Sequence, residues 1–254
     1  MDASASIDAL IARMEQLLAP LEASGDTRRY FLSMYLRTTR AVATEIEAGN
    51  FVDPAWTERW DIAFADLYLD AVEQWNTDRT APGPWPVAFA ADDTEMRLPP
   101  IRHLLLGMNA HINYDLPQAL LAVISDDEFA DSELVTRRRA DHRHIDAILA
   151  SRVTEEDHEL RRTERPGERT LLERLLTPFQ RRASRRFLEE GRRKVWHNAI
   201  LLSEARRAGC LDQRLSELGA LCSERITDLM APGQVLLRLA RDGFGVELSA
   251  DRGS

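Results

Sequence analysis

The sequence predicts an all-α protein, a single bundle of about eight helices. Four observations carry that expectation. Apolar residues recur at three- and four-residue spacing through most of the chain, helix caps bracket those runs, and strand-type alternation is missing apart from a short "FGVEL" at 244–248. The fourth is "LLLGMNAHINYDLPQALLAVI" at 104–124, so apolar all round that it must be the central helix.

In chain order, "SIDALIARMEQLLAPLEAS" places Ile7, Leu10, Ile11, Met14, Leu17 and Leu18 along one side, with Ser6 or Asp8 as cap. A second helix opens after "SGD" and stops at Gly49. The third begins at "DPAW", where Asp53 suits the N-cap and Pro54 the first turn, and carries Trp56, Trp60, Ala63, Leu67 and Ala71 to Trp75. Three prolines and a glycine make 77–86 a loop. Paired prolines at "LPPIRH" open the central helix, which spans about 100–124 and is expected to kink at Pro117. That residue cannot donate to the carbonyl of Asn113. An acidic connector leads to a helix from about Ser132. Charged, aperiodic 154–169 reads as an exposed connector or lid. Helix then covers Leu171 to Ala208 with a break near Pro178, another covers 211–230, and a short last one follows Pro232. The whole, 1–254, reads as one domain.

Composition narrows the function. Of 254 residues 44% are hydrophobic and 30% charged, an ordinary globular balance. No long apolar run escapes polar interruption, and the N-terminus is acidic and amphipathic, so neither a membrane span nor a signal peptide is expected and the location reads as cytoplasmic. A net charge of −9 argues against a nucleic-acid partner. The basic block "QRRASRRFLEEGRRK" reads as a solvated face. Cys210 and Cys222 are too far apart for a CxxC motif and read as packing. With Lys194 as the sole lysine, Schiff-base chemistry is not expected. Glycine-rich phosphate loops, G-x-S-x-G and paired Glu-x-x-His motifs are all missing, so no cofactor is expected.

The chemistry is expected inside the central helix. Buried polar groups without partners cost about 1 to 3 kcal/mol each, so six on one apolar helix require partners or a wet cavity. His111, Asp115 and Gln118 follow i, i+4, i+7 spacing, with Asn109 and Asn113 beside them; the two asparagines and Gln118 are expected to contact substrate. An Asp one turn from a His fixes its tautomer and raises its pKa, which suits a general base or acid; a satisfied core network is the competing reading. Asp66 and Asp70, again one turn apart, add a possible carboxylate pair, from which Asp70 is taken as a second acid. His144 is expected to look inward and His142 not. Tyr35, Tyr68 and Trp196 are candidate cavity wall. No metal ligands are assigned.

"GMNAHINYDLPQAL", "YLRTTRAVATEIEAGNFVDPAW", "FADLYLDAV" and "RRKVWHNAILL" together resemble a bacterial family of all-helical proteins of unknown function, over most of the chain. That resemblance implies a fold and a site location and no reaction. His111, Asp115 and Gln118 also coincide with part of the His-x3-Asp-x2-Gln motif of helical zinc phospholipases C and single-strand nucleases, but Leu121 stands near where a further histidine ligand is needed. The leading expectation is a cofactor-independent enzyme that isomerises, cyclises or hydrolyses a small apolar molecule. A non-catalytic ligand- or partner-binding protein and a metal-dependent phosphoester hydrolase are the alternatives, and a homo-oligomer is left open.

Overall fold

The computed structural model describes residues 6–93, 98–163, 171–233 and 243–250; the side chains at 92, 93, 146 and 149–189 lie outside it. Every regular element among the described residues is helical. Helix α1 (Ile7–Ser24) starts where Ser6 Oγ accepts from the Ala9 N–H and ends at Gly25, whose φ of 74° few other residues adopt without cost. Helix α2 (Arg29–Glu47) buries Phe31, Met34, Tyr35 and Thr38 on one face. Asp53 caps α3 (Pro54–Asp78) by accepting from the Trp56 N–H. The loop expected over 77–86 is shorter, because 85–89 form helix α4 (Trp85–Phe89), which drops Trp85 into the core.

Next comes a single apolar rod of three parts: α5 (Pro100–Ala110), a π turn (His111–Asp115) and α6 (Leu116–Val123). The expected proline kink is resolved as this π turn. Leu116 N–H donates five residues back to His111 O, and Pro117, which has no N–H to give, sits just where α-helical register resumes. The rod is central because α5 packs on α2, α4 and α10 while α6 packs on α3 and α9.

The acidic connector after Ile124 contains helix α7 (Asp126–Ala130), started by a capping box between Ser125 and Glu128. Helix α8 (Ser132–Thr163) runs through 154–163, so the expected exposed connector is helical in that part; its remainder to 169 lies outside the described residues. Helix α9 (Leu171–Ala208) continues through Pro178 without the expected break. Helix α10 (Leu211–Met230) follows, and the short last helix expected after Pro232 falls on residues outside the description. Residues 244–248 form no strand: they run across the rod and α9, with Phe244, Val246 and Leu248 buried.

Candidate functional site

The π turn places His111 and Asp115 so that Nδ1 lies 2.8 Å from Asp115 Oδ2. From α4, Trp85 Nε1–H donates to both oxygens of Asp115, at 3.2 and 3.1 Å. Aromatic rings enclose the imidazole. Phe64 of α3 stacks on it at 3.6 Å between centroids, and Tyr35 of α2 meets it edge-on at 4.7 Å. Burial raises the Asp115 carboxyl well above the carboxylate range, against the Trp85 hydrogen bond that lowers it. The same burial pushes His111 well below its ordinary value, opposite to the rise expected from an adjacent Asp. The two titrate as one unit. With Asp115 ionised it accepts from Nδ1–H and His111 Nε2 presents a lone pair; with one more proton on the pair, Nε2–H is a donor.

The His111 side chain lines a cavity between α2, α3, α8, α9 and the rod. Its volume for the centres of water-sized molecules is about 60 Å³, several times the about 10 to 15 Å³ one water needs on that measure. Apolar side chains such as Phe64, Met108, Ile112 and Leu116 make most of the wall. Four residues of that wall carry a buried polar atom with no partner within the protein: Tyr35 Oη, Trp60 Nε1, Asp61 Oδ2 and His111 Nε2. Buried polar atoms in folded proteins are nearly always paired, so four on one cavity wall make it the candidate site.

The ionisable groups among them differ in electrostatic state. Burial raises the Asp61 carboxyl to about 7. Burial, with the Asp61 and Asp115 charges added, raises Tyr35 and keeps it a neutral hydroxyl. On the far wall His142 accepts from Trp196 Nε1–H at 2.9 Å through Nδ1, and is pushed down to about 3 by burial first and by Arg192 and Arg139 next.

The structure therefore brings together His111, Asp115 and Tyr35, with Trp196 bracing the wall from behind. Other expected site residues are elsewhere. Asp70 is exposed on the outer face of α3, 2.7 Å from Arg13 of α1, which also holds Asp66 at 2.9 Å. His144 sits 3.2 Å from Glu45 and against the Phe51 ring, while His142 turns inward in its place. Asp141 explains the rotation. Its carboxylate accepts from the Val52 and Asp53 N–H groups, which fixes α8 with the Arg138, Asp141 and His142 side buried. Gln118 leaves the His111–Asp115 ladder and donates to Tyr114 O at 2.8 Å. Tyr68 lines a smaller cavity of about 20 Å³ with Arg28, Trp85 and His103. Asn109 and Asn113 both donate to Phe244 O, at 3.0 and 3.1 Å.

Asp61 escaped the sequence reading. Its signal was the ladder Asp61, Ala65, Tyr68, Val72 at i, i+4, i+7, i+11, one residue upstream of the window that drew attention to Asp66 and Asp70. Among the described residues, no three His, Cys, Asp or Glu side chains converge as metal ligands.

Gly107 protects the site's shape. A Cβ there would lie 2.5 Å from Phe31 Cγ, and Phe31 is cavity wall. Gly107→Ala is expected to lower stability by about 1 to 3 kcal/mol through overpacking, measured by urea unfolding. No change would mean that Phe31 is not held in place.

Residues 7–232 match the family described as Family of unknown function (DUF5995), and the chain belongs to that family. No curated protein and no solved structure matches it. Among the described residues, no helix is long and apolar enough to cross a membrane.

Proposed function

We propose that this cavity is the active site of a cofactor-independent enzyme that moves protons on a small, largely apolar molecule, in an isomerisation, cyclisation or hydrolysis. The observation that carries the reading is that His111, Asp61 and Tyr35 line one mainly apolar cavity and each has a buried polar atom, Nε2, Oδ2 and Oη, without a protein partner. His111 is the base when Asp115 is ionised and the acid when the pair holds its second proton. Asp61, raised to about 7, takes the role of second acid that the exposed Asp70 cannot fill. Tyr35 stays neutral and donates to an oxygen on which negative charge develops. The apolar wall binds the rest of the molecule and excludes water.

With this reading go one domain over 1–254, a cytoplasmic location, a small-molecule ligand, no nucleic-acid partner and room for a homo-oligomer. The test is a turnover screen of small apolar carbonyl compounds, esters and alkenes in D2O, with mass detection of hydrolysis, rearrangement and deuterium uptake. Wild type is expected to convert at least one compound. His111→Gln, folded by circular dichroism, is expected to lose that conversion by about 100-fold or more, the ordinary worth of a general acid or base. A compound that binds and is never converted would favour the alternative, a non-catalytic ligand-binding protein. Conversion that survives His111→Gln would remove the assignment.

A further inference from the structure

The asparagines of the rod lead to a second device. Residues 243–249, "GFGVELS", lie in a groove between the rod, α9 and α10, and helix side chains take up their backbone groups one after another. Glu190 accepts from the N–H groups of Phe244 and Gly245, and Lys194 Nζ donates to Gly245 O at 3.0 Å. Asn113 pairs in both directions, donating to Phe244 O and accepting from the Val246 N–H. Asn198 does the same one step on, donating to Val246 O and accepting from the Leu248 N–H at 2.9 Å. Arg225 holds Gly243 O and Arg214 holds Ser249 O at the two ends.

This is how an extended peptide is held by a receptor: side-chain amides mimic the neighbouring strand, and alternate residues drop into pockets. Phe244, Val246 and Leu248 point inward while Glu247 is half-exposed. Glycines flank the anchor for steric reasons. At Gly243, φ is 77° and a Cβ would lie 2.9 Å from Glu190 Oε1; at Gly245 it would lie 2.8 Å from Lys194 Cδ. The anchor ring itself, Phe244, is part of the wall of the His111 cavity, next to Met108, Gly191 and Arg192. The side chains that form the groove on the rod and α9 fall within the family match, which ends at residue 232, whereas the segment filling the groove lies beyond it.

The geometry points to residues 243–249 being a displaceable strap, a tethered peptide whose Phe244 closes one end of the cavity and whose release admits small molecules to His111. Docking also acts on the reactive residue, because Asn113 belongs to the same π turn as His111. The inference rests on the cavity being the working site. Its test reads access to the cavity and not turnover, so the two can fail separately.

The probe is diethyl pyrocarbonate, which acylates neutral imidazole nitrogen, mapped by mass spectrometry with half-exposed His144 as internal reference. In the full chain His111 is expected to react slowly. In Phe244→Ala, and in a chain ending at Asp242, it is expected to react about tenfold faster relative to His144, since reaction tracks the open population. Added peptide GFGVELS should return the shortened chain to the slow rate. If the shortened chain does not fold, Phe244→Ala decides, because it keeps every backbone hydrogen bond of the strap. A His111 rate that is the same in the full chain and in Phe244→Ala overturns the proposal, as does a shortened, folded chain that reacts fast and ignores the peptide.

Discussion

Asp61→Asn is expected to raise stability strongly at pH 8 and hardly at all at pH 4. The carboxyl is buried with Oδ2 unpaired, and burial lifts it from 3.8 to about 7. Between those values the unfolded chain has released the proton and the folded chain still holds it, so stability falls as pH rises from about 4 to about 7 and is level above that. At 1.36 kcal/mol for each tenfold step, the penalty at pH 8 is on the order of 4 kcal/mol. Asparagine keeps the shape and loses the charge. His111 and His142, both lowered by burial, give the opposite slope, with stability lost as pH falls below about 6.5, but they contribute equally to both proteins and cancel in the difference. Urea unfolding of the pair at the two pH values checks the claim. An equal effect at both would show that Asp61 is solvated or paired. A native carboxylate that costs this much stability, where an amide would not, is what a functional group retained against stability looks like.

Trp85→Ala is expected to cost about 3 to 5 kcal/mol, because a fully buried indole leaves a cavity that α4 cannot close. Trp85→Phe separates packing from hydrogen bonding. It keeps a ring against Tyr68 and Phe89, which sit at 4.9 and 5.0 Å, but removes the sole donor Trp85 offers to Asp115. Its cost is expected at about 1 to 3 kcal/mol, the worth of one unmet buried acceptor. A second consequence has a definite sign. The Trp85 N–H lowers the Asp115 carboxyl, so in Trp85→Phe the pair holds its second proton to higher pH. Urea unfolding and a histidine-resolved NMR titration give the two numbers. An unchanged titration would mean that Trp85 fills space and does not tune the pair.

Helices, caps and the centrality of the rod were legible because they are local: Ser6, Asp53 and the apolar run at 104–124 need nothing from distant sequence. The His111–Asp115 contact was legible for the same reason, being one turn long. What was not legible depends on how helices rotate against each other. Asp66 and Asp70 share a face, but Arg13 of α1 draws that face outward. His142 and His144 exchange roles because Asp141 ties α8 to the start of α3 across 89 residues. Asn109 and Asn113 looked like substrate contacts since their acceptor, Phe244 O, lies more than 130 residues away in a segment without helical pattern. The π turn has no local signature either; Pro117 marked the disturbance without specifying its form.

Histidine-resolved 15N NMR, with a library of small apolar fragments added, tests the central claim most directly. The His111 Nε2 resonance is expected to move on addition of at least one fragment, while that of His144, outside the cavity, stays in place. Asp115→Asn is also expected to change which ring nitrogen of His111 carries the proton at neutral pH. A His111 signal indifferent to every fragment and to Asp115→Asn would leave the "NAHINYD" turn as core architecture and remove the active-site assignment.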